Sequence, residues 1–311
     1  MGQTRWVLAL LLGFAFVAGC AADNGTSDTT SGTPSGGDAS PGSGDEASAT
    51  WGAYRFDERV EPRSGGGGKI QSYAYTHTAE DAGEVTAIHV EVEVLGISTE
   101  TVRGQAFDFS SGATEPTPVT APVEVAKLRH TLSVEQDDTG ELSAGDSAVV
   151  TLWMPTDGAT MTALWQFVHV DFEEDGATGV WESLPMEEGQ TTMTLPYTEG
   201  EDPTGWWGFE HLLTTYAFSW WAGLFQEGDI EEGSHDFGGF RYSAERETLD
   251  VSGYAFDGWR VAWSAATADD SGGYTIAVAP GLPLPFEHAF TSTTGGETNR
   301  YEYKLTALDL G

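Results

Sequence analysis

The chain has 311 residues, and its 49 acidic residues against 13 Lys and Arg give it a formal net charge of −36. This charge excludes nucleic acid as a partner, because no basic surface is available to neutralise phosphate groups. The chain contains one cysteine, which excludes a framework of disulfide bonds.

The first 20 residues, MGQTRWVLALLLGFAFVAGC, have the layout of an export signal. Arg5 precedes an apolar run of 12 residues, Trp6–Val17, which is too short to cross a bilayer but fits a signal peptide. The last four residues, VAGC, resemble the lipobox of prokaryotic lipoproteins. This resemblance implies that Cys20 carries a lipid and that the protein is held outside the cell, anchored to the cell membrane. The alternative is an uncleaved anchor with an incidental cysteine.

The acid-rich composition resembles that of proteins from extreme halophiles. Repulsion among so many acidic groups destabilises a compact state in dilute buffer, but at molar salt the Debye length falls to about 3 Å and most of the repulsion disappears. We therefore expect the fold to depend on high salt. At this density of acids, carboxylates lie close together by chance, so acidic clusters are weak indicators of a metal or glycosidase site.

Residues 21–50 are all Ala, Gly, Ser, Thr, Asp, Glu, Asn or Pro. Such a segment buries too little apolar surface to offset the entropy of ordering, so we predict a disordered acidic tether. Asn24 begins Asn-Gly-Thr, a sequon for N-glycosylation in an exported chain. The predicted organisation is a signal peptide over 1–20, the tether over 21–50 and a single β-rich domain over 51–311.

Beyond the tether, apolar and polar residues alternate with a period of two. In AIHVEVEVL, Ile88, Val90 and Val92 point to one side, whereas Glu91 and Glu93 point to the other. Polar turns separate the alternating stretches, so we predict a mainly β fold, an antiparallel curved sheet arranged as a half-barrel or a sandwich. Further strands are predicted at 149–154, 163–172, 192–197, 259–265, 274–279 and 301–308.

One stretch, WWGFEHLLTTYAFSWWAGLF, breaks this pattern. Pro203 fits the first position of a helix and Gly228 can end it, so we predict one long aromatic-rich amphipathic helix over about 203–227, packed on the sheet. The narrow polar side of this helix holds His211, Thr215, Ser219 and Gln226. Its wide apolar arc comprises Phe209, Leu212, Leu213, Tyr216, Trp220 and Leu224.

Three roles are open for the predicted helix. It fills the core across the sheet, it lines a groove for a lipid or another apolar ligand, or it docks at a membrane interface. Crossing the bilayer is disfavoured because Glu210 lies within the apolar arc and both flanks are acidic. The residues predicted to line the apolar groove are Trp206, Phe209, Leu213, Tyr216, Trp220, Trp221, Leu224, Trp259 and Trp263.

No motif in the chain predicts a particular reaction. The tripeptide GDS at 145–147 resembles the nucleophile segment of chymotrypsin-like proteases, but the resemblance ends there, and we interpret it as a turn. His89 with Glu91, and His169 with Asp171, form pairs on single strands that supply too few ligands for a metal. We interpret both histidines as exposed, and we predict no catalytic residue, no metal and no cofactor.

The segment PGLPLPFEHAF at 280–290, followed by a strand with alternating tyrosines, resembles the end of uncharacterised envelope proteins of halophiles. No activity is implied by this resemblance. We therefore expect a non-catalytic surface lipoprotein that binds or carries an apolar ligand, with the membrane as its other partner through the lipid on Cys20. A structural or adhesive envelope protein and a surface hydrolase remain open alternatives.

Overall fold

A computed structural model describes residues 55–107, 116–156, 167–174, 176–185, 193–201, 207–208, 211–212, 215–216, 230, 232–236, 239–266 and 270–311. Contacts divide the chain into two units, Met1–Glu46 and Ala47–Gly311, and every described residue belongs to the second unit. The predicted signal peptide, the predicted tether, Cys20 and Asn24 therefore lie outside the described residues.

The alternating stretches form antiparallel strands. The described strands are β1 (Ile70–Asp81), β2 (Glu84–Phe107), β3 (Thr117–Asp137), β4 (Ser147–Pro155), β5 (His169–Glu174), β6 (Ala177–Glu182), β7 (Met193–Leu195), β8 (Tyr197–Gly200), β9 (Gly233–Asp236), β10 (Phe240–Val251), β11 (Tyr254–Ala266), β12 (Asp270–Val278), β13 (Glu287–Thr294) and β14 (Glu297–Leu310). They form one open sheet, in the order β8-β6-β5-β4-β3-β2-β1-β14-β13-β12-β11-β10-β9, with β7 paired to β2. The predicted mainly β, antiparallel fold is confirmed, and these strands do not divide into the two sheets of a sandwich.

The middle of the sheet joins two strands that are distant in sequence. β1 pairs with β2 on one side and with β14 on the other. From this pair the strands run outward in both directions, to β8 at one edge and to β9 at the other. Residues 201–232, which connect β8 to β9, therefore lead from one edge of the sheet to the other, and we call them the crossing segment.

Three hairpins turn through two residues with positive φ. Ala82 and Gly83, with φ of 51° and 90°, connect β1 to β2, and Ser252 and Gly253, with φ of 51° and 82°, connect β10 to β11. Two glycines at 295–296 connect β13 to β14 in the same way. Such turns have the backbone twist that matches antiparallel strands, so they hold neighbouring strands in register.

The alternation in β2 produces a buried face and an exposed face. Ile88, Val90 and Val92 are buried, whereas Glu91 and Glu93 are exposed, as the sequence predicts. The buried face continues across the neighbouring strands, because residues paired directly across antiparallel strands point to the same side. This face carries most of the apolar core and lies beneath the described residues of the crossing segment.

The long helix predicted over about 203–227 is not confirmed. Within that range the structure describes only the pairs 207–208, 211–212 and 215–216, and each pair has helical backbone. None of the described residues belongs to a helix with the length and hydropathy needed to span a membrane.

The described part of the crossing segment buries polar residues against the sheet. His211 and Thr215, from the predicted polar side, are only 6% and 1% exposed. Leu212 and Tyr216, from the predicted apolar arc, are buried beside them. The polar side is not turned to solvent here, because the sheet presents polar partners at this position.

Candidate functional site

Buried histidines and tyrosines share one face of the central strands. In β1, Tyr73, Tyr75 and His77 alternate along this face. The register pairs His77 with Tyr303 of β14, and it pairs the same tyrosine with His288 of β13. We call the whole group the histidine–tyrosine cluster, and its members are Tyr73, Tyr75, His77, His130, His211, Tyr216, His288, Tyr301 and Tyr303, all buried.

Tyr216 attaches the crossing segment to two strands at once. Its hydroxyl lies 2.6 Å from Nε2 of His130 in β3 and 2.9 Å from the hydroxyl of Tyr73 in β1. Its ring also meets the ring of Phe167 edge to face, with centroids 5.5 Å apart. These contacts fix both the ring and the hydroxyl, so Tyr216 is a specific point of attachment.

His211 forms a second attachment, to β1. Its Nδ1 lies 2.5 Å from Nδ1 of His77, and the two ring centroids are 3.9 Å apart. The Nε2 atoms of His77 and His211 are both buried, and no described residue offers either of them a hydrogen-bond partner. The pair therefore uses one nitrogen of each ring for mutual contact and leaves the other nitrogen of each ring unmatched by the described side chains.

A third attachment joins the crossing segment to β14. Oγ1 of Thr215 lies 3.2 Å from the hydroxyl of Tyr301 and also donates to the carbonyl oxygen of His211, at 3.0 Å. The Tyr301 ring packs on His77 at 3.9 Å between centroids and stacks on His288 at 5.7 Å. The three attachments thus belong to one connected layer of aromatic rings.

Burial keeps the histidines of the cluster neutral. It lowers the pKa of His130, His211 and His288 to about 3. It also lowers the pKa of His77 well below its ordinary value, and repulsion from a charge on His211 or His288 adds to this effect. Burial raises the pKa of the tyrosines at positions 73, 75 and 301, so the cluster as a whole carries no charge near neutral pH.

The cluster offers neutral hydrogen-bonding groups within an apolar layer of the sheet. Neutral imidazole and phenol groups can donate and accept hydrogen bonds. Within the described ranges, no group of three or more His, Cys, Asp and Glu side chains is placed to hold a metal ion. The arrangement can position a neutral polar group within an otherwise apolar layer.

A separate charged network lies on the opposite face of the sheet. Nε and the backbone nitrogen of Arg103 both donate to Oε2 of Glu182 at 2.8 Å, and Nη2 of Arg103 donates to Oε1 at 3.1 Å. Nδ1 of His169 lies 3.0 Å from the same carboxylate, whose residue is only 3% exposed. Burial alone would raise the pKa of Glu182, but the hydrogen bonds from Arg103 and His169 outweigh it and lower that pKa.

The network extends over aromatic rings at the surface. The His169 ring stacks on Trp153, with centroids 3.8 Å apart, and Nζ of Lys127 lies 4.9 Å from the Trp153 centroid. Burial lowers the pKa of His169, although Glu182 acts in the opposite direction. The interpretation of His169 as an exposed histidine is therefore wrong, because pairing of β5 with β6 brings Glu182 directly opposite it.

The structure describes only three of the residues predicted to line an apolar groove. Tyr216 lies in the main apolar cluster, whereas Trp259 and Trp263 lie in a second cluster with Val261 and Ile276. The register of β11, β12 and β13 places Trp259 and Trp263 on the same face of the sheet as His288 of the cluster. The other predicted groove residues, Trp206, Phe209, Leu213, Trp220, Trp221 and Leu224, lie outside the described residues.

Two smaller interpretations can also be compared with the structure. The GDS tripeptide is a turn, as predicted, because Gly145 has a φ of 98° and Ser147 begins β4. His89 approaches Glu91 at 3.9 Å on the outer face of β2, with a third of its side chain exposed.

Sequence reasoning missed the histidine–tyrosine cluster although its signal is present. His77 falls in phase with the tyrosines of YAYTHT, and His130 falls between two leucines in LRHTL. In both stretches, period-two alternation places the histidine on the apolar face. The contribution of His211 had no such signal, because it depends on how the crossing segment meets the sheet.

The chain matches no family model, no curated protein and no solved structure.

Proposed function

We propose that the chain is an exported lipoprotein of a halophilic prokaryote, anchored to the membrane through Cys20, and that its β domain binds an apolar ligand. In this proposal the crossing segment is a long amphipathic helix that covers the ligand on the buried face of the sheet, and the protein is not an enzyme. One observation carries the proposal: the crossing segment meets the sheet through buried neutral polar groups, two of which lack partners among the described residues.

A permanent cover for a hydrophobic core needs no polar contacts. A buried polar atom without a partner costs about 1–3 kcal/mol, and native interiors keep few of them. Here His77 and His211 retain such atoms at the contact between the sheet and its cover. A bound ligand that supplies the missing hydrogen bonds would remove this cost, whereas a segment that only fills the core would not.

The sheet face beside the cluster is apolar and aromatic. Trp259, Val261 and Trp263 of β11 point to the same side as Ile276 of β12, and the register pairs Ile276 with His288 of the cluster. The sequence of the crossing segment adds a density of tryptophan and phenylalanine unusual for this acidic chain. Large apolar surfaces with a few convergent polar groups are the usual lining of small-molecule sites.

The test is to identify what the folded protein carries. The Cys20→Ala variant of the full-length chain cannot be lipidated, so any lipid extracted from it is bound without a covalent link. Native mass spectrometry and organic extraction of this variant, purified in molar salt from its natural host, are expected to show an apolar molecule at a fixed ratio to protein. The absence of such a molecule, together with no binding of a fluorescent apolar probe, would overturn the ligand proposal.

The anchor is tested separately on the unaltered chain. Mass analysis of the protein extracted from membranes is expected to find Cys20 as the first residue and to find it acylated. An unmodified cysteine on a chain that still contains residues 1–19 would refute the anchoring proposal without affecting ligand binding.

The charged network is the observation that favours a surface hydrolase as the second candidate. A carboxylate only accepts hydrogen bonds, so Nδ1 of a neutral His169 carries the proton that it donates to Glu182, and Nε2 is free to act as a base. The polar and ring contacts of His169, however, are Glu182 and Trp153, and neither supplies a nucleophile. Hydrolysis of a panel of ester, peptide and glycoside substrates that is lost in a His169→Gln variant would support this candidate.

A further inference from the structure

We propose that the His77–His211 pair recognises the hydroxyl head group of an otherwise apolar ligand, such as a long-chain alcohol. This inference rests on the proposed function and assigns the polar end of the ligand. Both Nε2 atoms of the pair belong to side chains that are at least nine-tenths buried on this sheet face, and both lack partners among the described residues.

The hydrogen-bonding character of the two atoms follows from proton counting. A neutral imidazole carries one N–H and one unprotonated nitrogen. Because the two Nδ1 atoms lie within hydrogen-bond distance, one of them must donate and the other must accept. The ring that donates through Nδ1 therefore has an unprotonated Nε2, and the ring that accepts through Nδ1 has an Nε2–H.

The pair thus presents one donor and one acceptor, whichever ring holds the shared proton. A hydroxyl group matches this pattern because it donates one hydrogen bond and accepts others. A carboxylate does not match, because it only accepts, and an alkyl chain leaves both nitrogens without a partner. An ether matches half of the pattern, because it accepts but cannot donate.

The surroundings of the pair also disfavour an ion. His77 contacts the rings of His211 and Tyr301, and Thr215 joins His211 to the Tyr301 hydroxyl. The further ionisable groups that face the pair, His130 and His288, are kept neutral by burial. No Lys or Arg among the described residues forms an ion pair or cation–π contact with this layer, so a buried anion would lack a counter-charge.

The experiment compares ligands that differ only at the head group. Displacement of a fluorescent apolar probe from the full-length Cys20→Ala protein in molar salt is measured with hexadecan-1-ol, its methyl ether, hexadecanoate and hexadecane. We expect the alcohol to bind about tenfold or more tightly than the ether or the alkane, since each lost partner leaves a buried polar atom unmatched. Hexadecanoate is expected to bind more weakly than the alcohol above its own pKa.

Two variants tie the preference to the pair. His77→Phe is expected to remove most of the tenfold preference for the alcohol while keeping the aromatic volume. His89→Phe is the matched control, because it makes the same change of side chain on the outer face of β2, outside the cluster, and it should retain the preference. If His77→Phe does not fold, as judged by circular dichroism, the comparison of the alcohol with its ether in the unaltered pair still decides the matter.

The outcomes separate this inference from the proposed function. Equal binding of alcohol, ether and alkane would mean that the pair holds only water, which overturns the inference and leaves the apolar site in place. Tighter binding of the carboxylate would also overturn the inference. Failure of every compound and of the probe to bind would overturn the proposed function itself.

Discussion

The hydroxyl of Tyr216 lies 2.6 Å from Nε2 of His130 and thereby joins the crossing segment to β3. The same hydroxyl reaches Tyr73 of β1 at 2.9 Å. One side chain therefore holds the segment against two strands of the sheet, which lie on either side of β2.

Removing this hydroxyl tests whether the attachment contributes to stability. Tyr216→Phe keeps the ring but leaves His130 and Tyr73 without their shared partner, so we expect a loss of about 1–3 kcal/mol in the free energy of unfolding. Guanidinium denaturation at constant salt measures the change. Tyr197→Phe is the control, because that hydroxyl contacts Glu199 in an exposed position. Equal stability of both variants would show that the Tyr216 contacts contribute nothing.

Acid should destabilise the domain through the cluster. The folded protein excludes protons from four buried histidines, and the pKa of His130, His211 and His288 is about 3. Below about pH 6.5 the histidines of the unfolded chain bind protons, whereas those of the folded chain do not. The free energy of unfolding is therefore highest above about pH 6.5 and falls as the pH decreases towards 3. Each histidine contributes a slope of about 1.4 kcal/mol per pH unit within this window.

Denaturation curves at several pH values between 7 and 5 measure this slope. His288→Phe should reduce the slope by the share of one histidine, because it removes one site that takes up a proton on unfolding. A stability that stays constant from pH 7 to 5 would contradict the neutral, buried state of these side chains.

Two carboxylates that contact Arg103 in the charged network provide a matched pair of substitutions. Glu182 is buried and bridges Arg103 and His169, whereas Glu199 contacts the same Arg103 with most of its side chain exposed. We expect Glu182→Gln to cost about 2–3 kcal/mol of stability and Glu199→Gln to cost less than about 0.5 kcal/mol. Chemical denaturation compares the two variants. Similar costs would mean that burial of Glu182 has no energetic consequence.

The turn between β1 and β2 contains a position where glycine should be better than the natural residue. Ala82 has a φ of 51°, a conformation that an alanine adopts only at a cost of about 1 kcal/mol. Ala82→Gly relieves this strain but increases the entropy of the unfolded chain, so we expect a net gain of roughly a few tenths of a kcal/mol. Thermal denaturation in molar salt measures the gain, and a lower midpoint would contradict the strained turn.

The net charge of −36 predicts that the stability of the domain depends on the salt concentration. Lowering the ionic strength lengthens the range over which the acidic side chains repel one another, so we expect the domain to lose its β structure on desalting. Circular dichroism during dialysis from molar salt to dilute buffer follows this loss. A spectrum that stays unchanged would show that cohesion in the sheet exceeds the repulsion.

The sequence predicted local structure well where it depends on neighbouring residues, as in strands whose apolar and polar residues alternate with a period of two. The alternation around Val90 and the turn at Gly145 both correspond to the structure, because each depends on neighbouring residues alone. His77 shows the limit of the same rule, since its phase indicated burial while its chemistry depends on His211, far away in the chain.

Neither the register within a hairpin nor the pairing of distant strands could be predicted from periodicity. The contact of His169 with Glu182 follows from the register of β5 on β6, and the pairing of β1 with β14 follows from the topology of the whole sheet. Neither leaves a mark on the hydrophobic pattern of a single strand. The groove was therefore predicted from aromatic residues alone, and the prediction omitted the His77–His211 pair that the fold places near them.

The position of β14 has a consequence for how the domain is made. Because Glu297–Leu310 is hydrogen-bonded to both β1 and β13 at the centre of the sheet, a polypeptide still emerging from the ribosome lacks the strand that joins the two halves of the sheet. The strands on each side of β14 can pair with their sequence neighbours, but the two halves of the sheet join only after β14 has been synthesised. A nonsense mutation just before Glu297 would therefore divide the sheet at its centre, whereas loss of the short edge strand β9 would remove only one strand from its edge.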